Sequence, residues 1–193
     1  MPVQASPTPN SLDPHDLNRR IVTTEARVAV IGQGFLGLSL AAAAAETGFE
    51  VVGIDFDVER IEGLAAGRLV VAGVDEQRFA GGVASGRLRF TTDASAIGTA
   101  DLVFICVPTP LHEGAPDLSF VKIASSTVGV HLRKGSLVVL ESTTYPGTTD
   151  VLVRGLVGKS GLEVGRDYLL AYSPERIDPR PGRHVQARRC RCA

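Results

Sequence analysis

The stretch VAVIGQGFLGLSLAAAAAETGFEVVGIDFD, residues 28–57, constrains the fold more than any other part of the chain. It carries Gly32, Gly34 and Gly37 in G-x-G-x-x-G spacing. A β-branched run precedes the glycines, an alanine-rich run follows them, and a second β-branched run ends at Asp55, 23 residues past Gly32. Each part has a physical task where a strand turns into a helix beside a dinucleotide. Gly32 makes the tight turn, Gly34 lets a pyrophosphate approach the backbone, and Gly37 lets the helix pack close to the strand. The helix N-terminus offers free N–H groups and the positive end of its dipole to the phosphates. Asp55 accepts hydrogen bonds from the adenosine ribose and repels a 2′-phosphate, which favours NAD over NADP. A glycine-rich turn without a ligand is the competing reading, and it does not require strand, helix and acidic residue together. Arg60 qualifies the NAD assignment, because an arginine near the ribose can accept a 2′-phosphate. Beside Asp55 it is expected to contact the phosphate or the adenine edge instead.

The same alternation continues to residue 173. Strands are expected at 27–31, 50–55, 101–107, 136–141 and 168–173, with a shorter one at 88–92. Their continuous Val/Ile/Leu runs mark strands buried on both faces. Helices are expected at Phe35–Thr47, Val58–Ala66, Asp75–Ser85, Ser119–Leu132 and Thr148–Val157, with Gly48 and Gly135 as stops. Repeated βα units give an α/β fold: a Rossmann-like, doubly wound parallel sheet in a single domain over residues 27–178. Irregular tails flank it. Residues 1–26 hold four of the eleven prolines and read as a disordered extension. Residues 179–193 read as an irregular arginine-rich tail.

Composition excludes several classes. A net charge of −1 argues against a general binder of nucleic acid or acidic membranes. Cysteines stand only at 106, 190 and 192, which is no disulfide framework and fits a reducing compartment. The longest apolar run, LGLSLAAAAA from Leu36, is about half of what a membrane span needs. With no secretory leader pattern, a cytoplasmic location is expected.

In open α/β sheets ligands lie outside the carboxyl ends of the strands, and two unusual loops fall there. VPTPLHEGAPDLS follows Cys106, with Pro108 and Pro110 fixing an extended path around Thr109. ESTTYPGTTD follows Leu140 and places Thr143 and Thr144 at the sheet edge. Thr148, Thr149 and Asp150 are candidate caps for the next helix. Turn and capping roles are the plain reading of such threonines taken singly. Their convergence on the glycine loop favours ligand contact.

Together VAVIGQGFLGLSLA, GIDFDVERIEGLAAGR, VPTP…PDLS, ESTTYPGTT and YSPERI resemble the UDP-glucose/GDP-mannose dehydrogenase family, over about residues 27–178. The ESTTYPGTT and SPERI forms look closest to the branch that acts on UDP-N-acetylhexosamines. The resemblance implies an NAD-dependent oxidoreductase that takes a UDP-sugar C6 alcohol to the uronic acid. It also implies homodimerisation through a segment past residue 178. By the same resemblance Phe35 and Leu36 line the dinucleotide, and Asp55 and Arg60 hold its adenosine half. Thr109 and Thr143 lie toward the pyrophosphate and nicotinamide. Glu175 assists hydrolysis of a covalent intermediate, and Arg176 and Ile177 meet the nucleotide sugar. Without the resemblance, Glu175 reads as a surface carboxylate paired with Arg176.

The family reaction captures an aldehyde on a cysteine in a glycine-rich loop and holds UDP on a second α/β domain. Neither pattern is found here. Cys106 reads as a small core residue. Cys190 and Cys192, in ARRCRCA, have no fixed geometry for attack and too few neighbouring ligands for a metal. The expectation is a chain that ends out of frame or truncated and binds NAD without turnover. A basic interaction tail is the alternative reading of its last residues.

Overall fold

The computed structural model describes residues 13–112 and 114–174. Six strands form one parallel sheet: β1 (Arg27–Ile31), β2 (Glu50–Ile54), β3 (Leu88–Thr91), β4 (Leu102–Ile105), β7 (Leu137–Leu140) and β8 (Leu169–Tyr172). Their order across the sheet is β3-β2-β1-β4-β7-β8. This is the expected doubly wound Rossmann-like α/β sheet, and its strand ends fall within a residue or two of the expected ones. β1 pairs with β2 on one side and with β4 on the other, in register Val30↔Gly53 and Val30↔Phe104. The order reverses at β1, so the switch point lies at the carboxyl end of β1, where Gly32 begins.

Successive side chains of a strand point to opposite faces, and both faces are packed. Val28 and Val30 join one core with Leu38 and Ala42 of helix α2 (Phe35–Glu46) and Phe79 of helix α4 (Glu76–Ala84). Ala29 and Ile31 face the other core, with Val121, Ala124 and Val128 of helix α5 (Ser119–His131). That double burial is why the strands read as unbroken apolar runs. Helix α3 (Val58–Ala65) packs on β3 and buries Leu64 completely.

Three expectations are corrected. Over the described part of 1–26 the chain is ordered: Pro14–Val22 forms helix α1. Asp13 caps it by accepting from the amides of His15 and Asp16, and Pro14 occupies its first turn. Leu17 is its one buried residue, so no apolar periodicity announced it. The helix is fastened by charge, with Arg20 donating two hydrogen bonds of 2.6 Å to Asp101. Asp101 is 1% exposed, also accepts from Arg133, and receives the Arg27 amide at 2.8 Å. The second correction concerns Thr148–Val157. Here a π-helical turn (Thr148–Val153) runs into helix α6 (Arg154–Val157). Gly147, at φ 91°, opens it without a side-chain cap, and the wider winding keeps both Thr148 and Val153 buried. The Thr148 hydroxyl donates to the Tyr145 carbonyl instead of capping. Third, a two-stranded hairpin, β5 (Leu111–His112) and β6 (Ala115–Pro116), occupies the loop after β4.

Candidate functional site

The glycine turn is built by exclusion. Gly32 has φ +91°, and a Cβ there would lie 2.7 Å from the Cys106 carbonyl oxygen. A Cβ on Gly37 would lie 1.8 Å from the Gly32 oxygen and 3.2 Å from the Cys106 Cβ. Both positions need glycine because backbone passes through the space a side chain would fill. Gly34 differs: nothing lies within 4 Å of the Cβ it lacks. That open volume fronts the N-terminus of α2, which has no side-chain cap. The arrangement is a cradle for an anionic group.

Asp55 closes the turn from the end of β2. It is 6% exposed. Its Oδ2 accepts from the Gln33 amide at 2.7 Å and from Arg60 Nη1 at 2.9 Å, and its Oδ1 accepts from the Asp57 amide at 3.1 Å. Arg60 also pairs with Asp57 at 3.2 Å. Arg60, expected to reach a phosphate or the adenine edge, thus lies against two carboxylates. The Asp55 carboxylate is oriented by the same turn that forms the anion cradle. Sequence reasoning missed the part of Asp57, whose carboxylate also caps α3 through the Arg60 amide at 3.0 Å. Its position three residues before Arg60 is the signal that was available.

The two proline-flanked loops meet at the carboxyl end of the sheet. The Thr109 hydroxyl donates to the Thr143 carbonyl at 2.8 Å, across 34 residues. Beneath them, buried Ser142 donates to the Val107 carbonyl at 2.7 Å and so ties the roots of both loops. Ser142 lies inside the ESTTYPGTTD motif, yet serine there carried no distinguishing mark.

One cleft of about 710 Å³ gathers these pieces, within the size range of small-molecule sites. Gly32, Gly34, Phe35, Leu36, Asp55, Arg60, Thr109 and Thr143 all line it. Gly37 lies beneath, as helix packing requires. Cys106 forms part of the floor and is 5% exposed, in keeping with a core role. Glu175, Arg176, Ile177, Cys190 and Cys192 lie outside the described residues. Among the described residues no group of His, Cys, Asp or Glu could hold a metal ion, and no helix is long and apolar enough to cross a membrane. The open cradle, the uncapped helix and the buried carboxylate 23 residues past the first glycine fit a dinucleotide.

Known proteins agree with that geometry. The family model described as "UDP-glucose/GDP-mannose dehydrogenase family, NAD binding domain" matches residues 26–187. The chain is 36% identical over 155 residues to UDP-N-acetyl-D-mannosamine dehydrogenase of Pyrococcus horikoshii, covering 79% of this chain and 37% of that one. It is 37% identical over 162 residues to UDP-N-acetyl-D-glucosamine 6-dehydrogenase of Salmonella typhi, covering 83% and 37%. The crystal structure of GDP-mannose dehydrogenase from Pseudomonas aeruginosa superposes with a TM-score of 0.74 at 31% identity, covering 79% of this chain and 36% of that one. The chain therefore spans a little over a third of the length of these relatives. With the glycine turn, the acidic strand end and the parallel sheet all in place, the chain belongs to the UDP-glucose/GDP-mannose dehydrogenase family and carries its NAD-binding domain.

Proposed function

We propose that the chain holds NAD for the oxidation of a UDP-sugar at C6 to the uronic acid, with a UDP-N-acetylhexosamine as the sugar. The observation that carries this reading is the convergence of the Gly34 cradle, Asp55 and the Thr109–Thr143 bridge on a single cleft. Names of relatives such as the Pyrococcus horikoshii and Salmonella typhi enzymes support the N-acetylhexosamine.

In this reading Gly32 and Gly34 admit the pyrophosphate to the α2 N-terminus, with Phe35 and Leu36 beside it. Asp55 accepts from the ribose hydroxyls. Its Oδ1 takes one donor, the Asp57 amide, while Oδ2 takes both the Gln33 amide and Arg60 Nη1, so Oδ1 is the atom with acceptor capacity to spare. A 2′-phosphate would meet this buried carboxylate, which disfavours NADP. Thr109 and Thr143 border the reactive end, where the bridge between their loops fixes the cleft wall. When bound, NAD supplies the hydride acceptor. Glu175 is proposed as a carboxylate assisting hydrolysis, with Arg176 and Ile177 toward the sugar nucleotide. Residues 27–178 form the NAD-binding unit, to which α1 adds a brace.

Calorimetry with NAD and NADP tests the cofactor half. NAD is expected to bind more tightly, and Asp55→Ala should cost about 1–3 kcal/mol of NAD affinity. Equal affinities would overturn the assignment. For the substrate half, the chain is incubated with NAD and UDP-N-acetylhexosamines, or the same sugars lacking UDP, while NADH absorbance is followed. No sustained turnover is expected of a chain that spans a little over a third of its relatives' length, and sustained NADH formation that ignores the UDP group would count against the proposed substrate.

A further inference from the structure

The residue between the first two glycines of the turn has a side chain for which nothing so far gives a task. Gln33 is 0% exposed, although glutamine is mostly a surface residue. Its Nε2 donates to the Val30 carbonyl at 2.7 Å, back along β1. The Val30 carbonyl can only accept, so the NH2 end of the amide must face it. The other end, Oε1, has no hydrogen-bond partner among the described residues. The space that the amide fills is cut into the sheet. Val30, Gly53 and Phe90 lie side by side on β1, β2 and β3. A Cβ on Gly53 would lie 2.6 Å from Gln33 Oε1 and 2.7 Å from its Cδ. Glycine inside a strand weakens it and often marks a close approach, and here the missing side chain makes room for the Gln33 amide. The turn thus reaches down into a notch in the sheet, although a buried carbonyl without a partner is unfavourable. An apolar side chain of the same length would fill the notch without that penalty, so packing alone does not account for glutamine.

We propose that Gln33 is a positioning residue for the cofactor and acts through Asp55. The proposal rests on the NAD reading and adds to it the means by which the turn aims the carboxylate. The Gln33 backbone N–H donates to Asp55 Oδ2 at 2.7 Å. One residue therefore holds β1 with its side chain and the end of β2 with its backbone. Arg60, the other donor to Oδ2, is a looser guide, because its side chain is 34% exposed and is shared with Asp57. With Oδ2 held from the buried side, the carboxylate keeps one orientation and Oδ1 stays available to a ribose hydroxyl. The chain on either side of Gln33 is fixed independently, by the Gly32 amide on the Ile54 carbonyl and by the Leu38 amide on the Gly34 carbonyl. Losing the Nε2 bond therefore frees the Gln33 peptide, and with it the N–H that aims Asp55, while the strand and the helix stay in place.

The test is a double-mutant cycle on the full chain. NAD affinity is measured by calorimetry for the parent, Gln33→Met, Asp55→Ala and the double variant, with the melting temperature of each. Methionine has the length and flexibility to fill the notch, but it cannot donate to Val30. Gln33→Met should weaken NAD binding by about 3- to 10-fold, within the range for coupled neighbours. In the Asp55→Ala background the same change should alter affinity by less than about two-fold, as for sites that do not interact. The melting temperature should change little, because the lost bond to Val30 is offset by removal of a carbonyl that has no partner. Parental NAD affinity in folded Gln33→Met, whatever its melting temperature, assigns the side chain to stability alone and overturns the proposal. An equal loss of affinity in both backgrounds also overturns it, since Gln33 would then act on the turn and not through Asp55. Either result leaves NAD binding standing. A parent chain that binds no NAD overturns the positioning role and the proposed function together.

Discussion

Alanine at Gly34 and at Gly37, three residues apart in one turn, should fail in opposite ways. At Gly37 the new Cβ would sit 1.8 Å from the Gly32 carbonyl oxygen, where real contacts stay beyond 3.0 Å, so α2 or the turn must move by more than an ångström. The obstruction is backbone and cannot swing aside. Overpacking a close contact costs about 1–3 kcal/mol, and a rigid obstruction places this variant at the upper end. For a chain of this length, 3 kcal/mol corresponds to a fall of roughly 6–12 °C in melting temperature. At Gly34 the backbone angles, φ −76° and ψ −168°, suit alanine, and no atom lies within 4 Å of its Cβ. Alanine is a poorer N-cap than glycine, but it also restricts the unfolded chain, and these effects offset each other to within about 0.5 kcal/mol. The apo protein should therefore melt as the parent does. Its methyl group would occupy the approach to the α2 amides, so NAD affinity should fall by about ten-fold or more, the scale of one or two lost charge-assisted hydrogen bonds. Scanning calorimetry and NAD titration on both variants separate the two mechanisms. If Gly34→Ala keeps parental NAD affinity, the cradle is misassigned. If Gly37→Ala melts with the parent, the close packing does not constrain the turn.

Asp101→Ala strands Arg20, Arg133 and the Arg27 amide at the start of β1. It should cost about 3 kcal/mol, the lower end for breaking a buried pair, because the two arginine side chains keep 26% and 31% exposure. Urea unfolding that places the loss below about 1 kcal/mol would show that α1 is held by other means. The Asp167 carboxyl lies well below the usual carboxylate range, held there by Arg166, by the Glu163 amide and by Lys134. A lowered folded value means stability that is present above about pH 4 and lost as pH falls further. The stability gap between the parent and Asp167→Asn should accordingly narrow below pH 4, and a gap constant down to pH 3 would refute the assignment. Tyr168 is 0% exposed, and its hydroxyl has no hydrogen-bond partner among the described residues. Tyr168→Phe should leave stability unchanged or raise it by about 1–2 kcal/mol, and a loss seen in urea unfolding would reveal a partner for the hydroxyl.

The sheet was legible because burial on both faces leaves a one-dimensional trace: Val28 to Ile31 are apolar without interruption since alternate residues enter different cores. Glycine turn and Asp55 were legible for a similar reason, as each is demanded by local geometry within one βαβ unit. Features that depend on distant residues left no such trace. α1 is fixed by an ion pair across 81 residues and buries only Leu17, so its nine residues look like linker. The bridge from Thr109 to Thr143 joins loops that are contiguous only once β4 and β7 pair. Arg60 lines the cleft in which the sequence places it, but its pairing with Asp55 and Asp57 follows only from the turn that brings these neighbours together.

The distance between Arg20 and Asp101 also sets a timetable. A chain leaving the ribosome N-terminus first makes α1 before the carboxylate that anchors it, which arrives 81 residues after Arg20. At about 5–20 residues per second this delay lasts roughly 4–16 s, far longer than a helix needs to form or fray. In that interval β1, α2 and β2 are complete and can pair locally. The strand that follows Asp101, β4, must then insert on the other side of β1. During synthesis, α1 waits unfastened while the β1–α2–β2 unit assembles ahead of its anchor.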